Sequence, residues 1–364
     1  MVEQRTHKPR VGGSIPSPAI LLCREAKPST VLMNFPDCFE RVLKEQKLIR
    51  LHERLGIACS GGPDSTALFY LLSSLSEKWG LKIGLLHFNH GLRGEGSNRD
   101  ERFVRRLAET FGVPFYAGRG NIEKLARREK ISLEEAGRQA RYRFFIETAK
   151  KYRVPQVALG HTRDDQAETV LMRVFQGTGL KGLCGIREEM KMQNVRFVRP
   201  LLDYSKEALE RFLKERKIAY RRDSSNKSRR FLRNRIRLEM IPWLVRNVNP
   251  RTVEAIARIP TIVNEEVKVL EQLENEAWEK CFKSKRDRKV ALDRKVFLKS
   301  PPTLQFRVLD RALKILDARS GLNFELWRNL RPSLKRTQHR CSLPRNIDFT
   351  LSPSKIFLRK RIFL

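Results

Sequence analysis

IACSGGPDSTALFYLL, residues 57–72, sets an apolar run on each side of Ser-Gly-Gly-Pro-Asp-Ser. A short buried strand ending at Cys59 and a helix carried on through Leu68, Leu71, Leu72, Leu75 and Trp79 account for the two runs. The six residues between them suit a strand-to-helix turn that must come close to a ligand. Gly61 and Gly62 let the backbone turn sharply. Pro63 fits the first helical turn, where its missing N–H costs nothing, and Ser60 and Ser65 bring hydroxyls. Such a helix start offers free amides and a positive dipole end, which together make a phosphate site. Asp64 has the wrong sign for phosphate unless Mg²⁺ stands between the two. No Gly-Lys-Ser/Thr follows, so this is not a Walker A loop. A glycine turn alone serves many strand–helix loops; the whole S-G-G-x-D-S string is far more specific.

Outward from this turn the chain alternates. The strand-like LKIGLLHFNH is followed by a helix over 98–111, the short strand VPFYAG, a helix over 132–152 and the strand VPQVALG. A helix over 164–176, the strand VRFVRPLL and a helix over 205–216 complete the series. Strands alternating with helices of this length predict an α/β fold, a doubly wound, Rossmann-like parallel sheet covered on both faces. Such sheets bind ligands beyond the carboxyl ends of their strands. Residues 1–32 mix Pro, Ser, Gly and Arg without periodicity and read as a disordered extension, an upstream start or a targeting segment. The catalytic domain is expected over 33–240. Residues 241–364 are expected to form a basic, mainly helical module, with a helix over 250–283 and a small irregular or β-like end.

The 364 residues carry 75 Lys+Arg against 41 Asp+Glu, a formal charge of +34. Self-repulsion of that size is easiest to tolerate beside a polyanion, and nucleic acid is the common one; a generally basic or heat-adapted surface is the alternative. Clustering favours a binding face: residues 221–237 hold eight basic residues and one acidic, and residues 277–364 hold twenty-three and seven. No run approaches the length of a membrane-spanning helix. The six cysteines lie far apart, with no C-x-x-C pair, which argues against a zinc site, a cluster or a disulfide framework and for a reducing, cytoplasmic compartment.

Three further stretches bear on the crevice, the first and third of them at strand ends. HFNHGLRGEGSNRDE puts His87, Asn89, His90 and Arg93 at the end of the second strand. SLEEAGRQARYRFF opens on a capping-box pattern, Ser132 and Glu135, and places Arg138 and Arg141 on one helical face. Arg141 is either an anion-binding fork or a solvated charge. GHTRDDQAETVLMRVFQGTGLKGLCGI follows the fourth strand, with Asp165 and Glu168 sharing a helical face beside Asp164. First-turn acids are common dipole partners; at a strand's carboxyl end they can also pair with a cationic substrate. Gly177, Gly179, Gly182 and Gly185 then suggest a flexible loop.

The Ser60–Ser65 turn resembles the loop of the N-type ATP pyrophosphatases, or PP-loop enzymes. Taken with the later stretches, RPLL and DSSN…RFLRNRIR, residues 53–244 resemble the tRNA(Ile)-lysidine synthetases. That resemblance implies an adenine-nucleotide α-hydrolase-like fold. It also implies ATP-dependent attachment of L-lysine to C2 of the wobble cytidine, position 34, in a CAU-anticodon isoleucine tRNA, through an adenylylated cytidine. By it, Ser60, Gly61, Gly62, Pro63, Asp64, Ser65, His87 and Asn89 bind ATP, with Asp64 acting through a transient Mg²⁺ and no structural metal. Arg141, Asp165 and Glu168 recognise lysine; Asp64, Arg141, His161 and Asp165 are the catalytic set. Asp164 or Asp165 is a candidate proton acceptor. Arg229, Arg230, Arg233 and Arg235 are expected to face outward and contact tRNA. Longer members of that family carry a further C-terminal domain, and this sequence is expected to hold only part of it. A homodimer is compatible with all this. Another PP-loop tRNA-modifying enzyme and a non-enzymatic tRNA-binding protein are the alternatives. The paired cysteines of the tRNA thiolases are missing, and a merely RNA-binding chain would not need Asp64, Arg141, Asp165 and Glu168 together.

Overall fold

A computed structural model describes residues 34–92, 94–222, 229, 231–317 and 321–361. The readings of 1–32, Arg93, the 223–226 stretch and Arg230 lie outside these residues. The chain divides into two compact units, Met1–Val263 and Asn264–Leu364. The division falls inside a long helix rather than at the 240/241 boundary read from the sequence.

The first unit opens with α1 (Phe35–Gln46), then β1 (Arg54–Ala58), α2 (Pro63–Ser76), β2 (Lys82–Asn89), α3 (Glu95–Thr110) and β3 (Phe115–Arg119). Next come α4 (Ile122–Glu129), α5 (Leu133–Lys151), β4 (Gln156–Leu159), α6 (Arg163–Phe175) and the single turn α7 (Leu180–Leu183). The unit continues through β5 (Glu189–Met192), β6 (Val195–Val198), α8 (Lys206–Glu215) and α9 (Leu232–Arg235). A π-helical turn, Ile236–Met240, leads into α10 (Ile241–Asn247) and then α11 (Thr252–Cys281), which crosses the division. The sequence pattern locates most of these; it does not show α4, the single turn α7, α10 or the hairpin strand β5.

The sheet runs β3-β2-β1-β4-β6-β5, all parallel except β5, which pairs antiparallel with β6. Strand β4 is buried throughout and β1 at its three central residues, as a sheet covered on both faces requires. One core packs Phe39, Leu43, Leu68, Leu72, Val104 and Leu213 against Leu55, Ile57 and Leu85. The other packs Tyr142, Phe145 and Ile146 of α5 against Leu86, Val157 and Phe197. Successive strands run outward from β1 to β3 and then reverse to β4 on the far side of β1. The carboxyl ends of β1 and β4 therefore flank the switch point, where an open α/β sheet has its crevice.

The second unit holds a five-stranded antiparallel sheet, β7 (Phe282–Arg286), β8 (Lys289–Asp293), β9 (His339–Leu343), β10 (Ile347–Leu351) and β11 (Lys355–Lys360), ordered β7-β8-β11-β10-β9. Helices α12 (Arg294–Lys299), α13 (Pro302–Leu316) and α14 (Phe324–Leu330) accompany it, and Val308, Leu309, Leu313 and Trp327 share its core with Val290, Phe349 and Leu358. The sheet is larger than the β-like end expected from sequence. Its strands are only five or six residues long, too short for their alternation to stand out, and charged residues occupy the open face. Among the described residues no helix is long and apolar enough to cross a membrane.

Candidate active site

The turn after β1 folds as its residues dictate. Gly61 takes φ +86°, a left-handed conformation that side chains rarely adopt, and Gly62 begins α2 with no side-chain cap. Ser65 Oγ receives the Ser60 amide at 3.1 Å, lies 3.1 Å from the Ser60 hydroxyl, and donates to the Gly62 carbonyl at 3.1 Å. The two serines thus brace the turn internally. The first-turn amides of a fourteen-residue helix are left for an external acceptor.

Asp64 Oδ1 is buried without a hydrogen-bond partner. Burial pushes its carboxyl up to about 7; Lys206 opposes the shift, and Asp165 and Asp164 add to it. A buried carboxylate oxygen with no protein donor fits a cation, and Mg²⁺ needs few protein oxygens when phosphates supply others. Among the described residues no group of three His, Cys, Asp or Glu side chains could hold a metal by itself.

The carboxyl end of β4 meets this turn closely. A Cβ on Gly160 would lie 3.2 Å from both Cα and N of Ser65, so only glycine fits without shifting backbone. His161 follows, its Nδ1 buried and unpartnered, and burial drives the imidazole down to about 3, with Asp165 opposing. The ring is therefore neutral near pH 7. Thr162 caps α6 in a reciprocal box: Asp165 Oδ2 accepts from the Thr162 amide and hydroxyl, each at 2.9 Å. One oxygen of Asp165 is thereby structural, and the other faces the crevice.

Three cations cover that free oxygen and Glu168. Lys206 Nζ, at the start of α8, lies 3.1 Å from Asp165 Oδ1 and 3.6 Å from Glu168 Oε1. Arg233 donates to Glu168 Oε2 at 2.8 Å and to Asp165 Oδ1 at 3.2 Å. Arg237 reaches Glu168 Oε1 at 2.6 Å and Oε2 at 2.8 Å, and Asp165 Oδ1 at 3.3 Å. Burial would raise both carboxyls. Lys206 and Arg233 beside Asp165, and Arg237 and Lys206 beside Glu168, outweigh it and hold both below the usual carboxylate range.

Arg141 is half-buried and hydrogen-bonds to nothing among the described residues, and burial lowers its pKa. It stays available for an anion. His87 Nδ1 sits 2.9 Å from the Cys59 carbonyl, and Asn89 donates to Glu101 at 3.1 Å, so both brace strand ends. Asp164 accepts from the Lys206 backbone amide at 2.9 Å. The loop after α6 is tied back: Gln166 pairs with the Ile186 amide and carbonyl, and Arg173 binds the Gly185 carbonyl at 3.0 Å. Of the arginines assigned to RNA, Arg235 is exposed and Arg229 pairs with Glu239 at 3.1 Å, while Arg233 turns inward onto the carboxylates. Lys206, Arg237 and Gly160 had no assignment from sequence. For Arg237 a signal existed, four residues beyond Arg233 on the same helical face; for Lys206 none did, because α8 lies far along the chain from α6.

A family model for the PP-loop domain matches residues 34–244. The tRNA(Ile)-lysidine synthase of Clostridium acetobutylicum is 33% identical over 271 residues, 74% of this chain and 58% of that protein. The enzyme of that name from Geobacter sulfurreducens is 42% identical over 239 residues, 64% of this chain and 49% of that one. This chain thus spans about half the length of these relatives or a little more. Among solved structures, the U34-tRNA thiolase NcsA from Methanococcus maripaludis with its [4Fe-4S] cluster aligns with a TM-score of 0.52 at 17% identity, over 63% of this chain and 80% of that one. At that identity the likeness is one of fold.

Proposed function

We propose, from the premise that this chain belongs to the PP-loop domain family, that it uses ATP to attach L-lysine to C2 of the wobble cytidine in a CAU-anticodon isoleucine tRNA. The observation that carries this reading is the meeting, at one switch point, of an uncapped helix start that suits phosphates with an Asp165–Glu168 pair that suits an ammonium. The similarity to proteins named tRNA(Ile)-lysidine synthase supports it.

In this reading the α2 amides and Ser60–Ser65 hold the outer phosphates, leaving the α-phosphorus open to attack. Asp64 would hold Mg²⁺, which neutralises phosphate charge. The cytidine O2 attacks the α-phosphorus and pyrophosphate leaves; the ε-amine of lysine then attacks C2 and AMP leaves. Neutral His161 can hydrogen-bond beside the reacting phosphate without adding charge, and Arg141 can take an anionic oxygen. Asp165 and Glu168, held ionised by their cations, anchor an ammonium rather than deprotonate it. The proton is therefore accepted outside this pair.

RNA contact by the second unit fits its open sheet face. Arg286, Lys289 and Arg359 lie directly opposite one another on β7, β8 and β11. Lys289 Nζ stands 3.8 Å from the ring centre of Phe357 on the same face. Like charges placed opposite one another destabilise a sheet, and a polyanion relieves them. Incubation with labelled lysine, ATP and the isoleucine and methionine CAU-anticodon tRNAs, followed by nucleoside analysis, tests the reading. Lysidine in the isoleucine tRNA alone is expected. ATP turnover that ignores lysine would assign the chain to another PP-loop reaction.

A further inference from the structure

Asp165 and Glu168 present two negative charges to the crevice, and Lys206, Arg233 and Arg237 already place three positive charges on them. His161 is neutral and adds none. The cations form the outer layer: their side chains retain about a quarter of their exposure (24%, 27% and 28%), whereas that of Glu168 retains 1%. An ammonium arriving from solvent meets this layer before it meets a carboxylate. Adding it to these five groups would raise their sum from +1 to +2 at half-buried positions, which is electrostatically unfavourable; beyond the five, Asp164 beside Lys206 is offset by Arg141 near Arg233, and burial drives Asp64 toward its neutral form. If the two arginines left, the pair with Lys206 alone would stand at −1, and one ammonium would restore neutrality.

The two arginines differ from Lys206 in where they come from. Arg233 and Arg237 sit in α9 and the π-helical turn that follows it, within the most basic stretch of the chain, beside exposed Arg229 and Arg235. π-helical turns recur at functional sites. A guanidinium binds phosphate by the same two-pronged geometry with which it binds a carboxylate, so an RNA backbone competes for these two groups directly. Lys206, anchored through its own amide to Asp164 at 2.9 Å, stays.

We propose that Arg233 and Arg237 close the lysine-binding carboxylates until RNA phosphates draw them away, so that RNA and lysine bind cooperatively. This deepens the function proposed above and rests on it. RNA docking exchanges Arg–carboxylate pairs for Arg–phosphate pairs; Glu168 Oε2 is then vacated, and it receives the substrate ammonium together with the places beside Lys206 that the arginines leave on Asp165 Oδ1 and Glu168 Oε1. Lysine is thereby admitted only when its acceptor is in place.

The test is equilibrium binding of labelled L-lysine to the whole protein with a non-hydrolysable ATP analogue, with and without a CAU-anticodon isoleucine tRNA transcript. The lysine dissociation constant is expected to fall about tenfold or more with RNA. Saturating lysine should tighten RNA binding by the same factor, because coupling is reciprocal. Arg233→Gln/Arg237→Gln should bind lysine tightly without RNA and lose the coupling, whereas Arg237→Lys, which keeps the charge, should retain part of it. Equal lysine affinity with and without bound RNA overturns the proposal. So does a double variant that folds but binds lysine more weakly, or an affinity raised fully by the ATP analogue alone. Should the double variant not fold, the reciprocal measurement on the unaltered protein decides. Lysidine formation with RNA-independent lysine binding rejects only the gate; absence of both lysine binding and lysidine rejects the function as well.

Discussion

Arg237 and Glu168, sixty-nine positions apart, meet at 2.6 Å, and this contact ties the basic segment after α8 to the second turn of α6, the helix that follows β4. It joins two stretches that the sequence presents as separate, one for RNA and one for a small cation. Their juxtaposition makes the carboxylate pair a fully ion-paired unit that stabilises the fold before any substrate arrives.

That unit should be visible in acid. The folded-state pKa values of Asp165 and Glu168 are depressed. Their stabilisation is therefore fully present above the unfolded carboxylate value, near 4, and is lost as pH falls below it. Glu168→Gln should lower unfolding free energy at pH 7 by about 1–3 kcal/mol, with the partly exposed cations keeping the loss modest. The gap to the unaltered protein should narrow when urea unfolding is repeated at acid pH. A constant gap would mean that packing, not charge, is lost.

Asp64 has the opposite sign. Its folded value, raised to about 7, exceeds its unfolded value near 4, so the folded state holds the extra proton and stability falls as pH climbs between the two. Asp64→Asn should accordingly gain stability at pH 8 while losing Mg²⁺-dependent ATP binding. In the unaltered protein, calorimetry near pH 7 in buffers of different ionisation enthalpy should register proton release when Mg²⁺·ATP binds. Binding without proton release would place the cation elsewhere.

The sequence showed most of what is local and little of what is distant. The turn after β1, the alternating strands and helices, and the shared face of Asp165 and Glu168 follow from short spacings, where backbone geometry decides. Arg233 was read as outward because its neighbours are basic. Burying it requires carboxylates from another element, and no local pattern shows them. Lys206 was invisible for the same reason, and Asp165 proved to divide its two oxygens between a helix cap and the crevice. The second sheet is less legible because its strands are only five or six residues long and an apolar Ala291 and Phe357 stand among the outward positions, leaving little alternation to mark a half-buried strand.

Gly160 supplies a steric test. A methyl group there must displace the backbone of Ser65, and overpacking of this kind typically costs about 1–3 kcal/mol. Since Ser65 braces the phosphate turn, Gly160→Ala should weaken ATP binding more than it lowers the melting temperature, as measured by nucleotide titration and thermal unfolding. Unaltered nucleotide affinity in the folded variant would separate the β4 end from the phosphate turn.

The open sheet face yields a prediction with two readouts of opposite direction. Lys289 faces Arg286 on one side and Arg359 on the other, each pair directly opposed across neighbouring strands. Replacing Arg286 and Arg359 with Gln removes that repulsion and leaves Lys289 over the Phe357 ring, so the double variant should be more stable by roughly 0.2–1 kcal/mol for each opposed pair. The same change should weaken tRNA binding and flatten its salt dependence by about 0.7–0.9 for each phosphate no longer neutralised. Phe357→Ala, by comparison, should weaken RNA binding while leaving the salt slope unchanged, because stacking displaces no counterions. Lysine transfer onto an isolated anticodon stem-loop should be unaffected by either change if the face touches RNA elsewhere. Filter binding across a salt series, together with urea unfolding, separates these outcomes. A gain in stability with no loss of RNA affinity would make the row an ordinary basic surface.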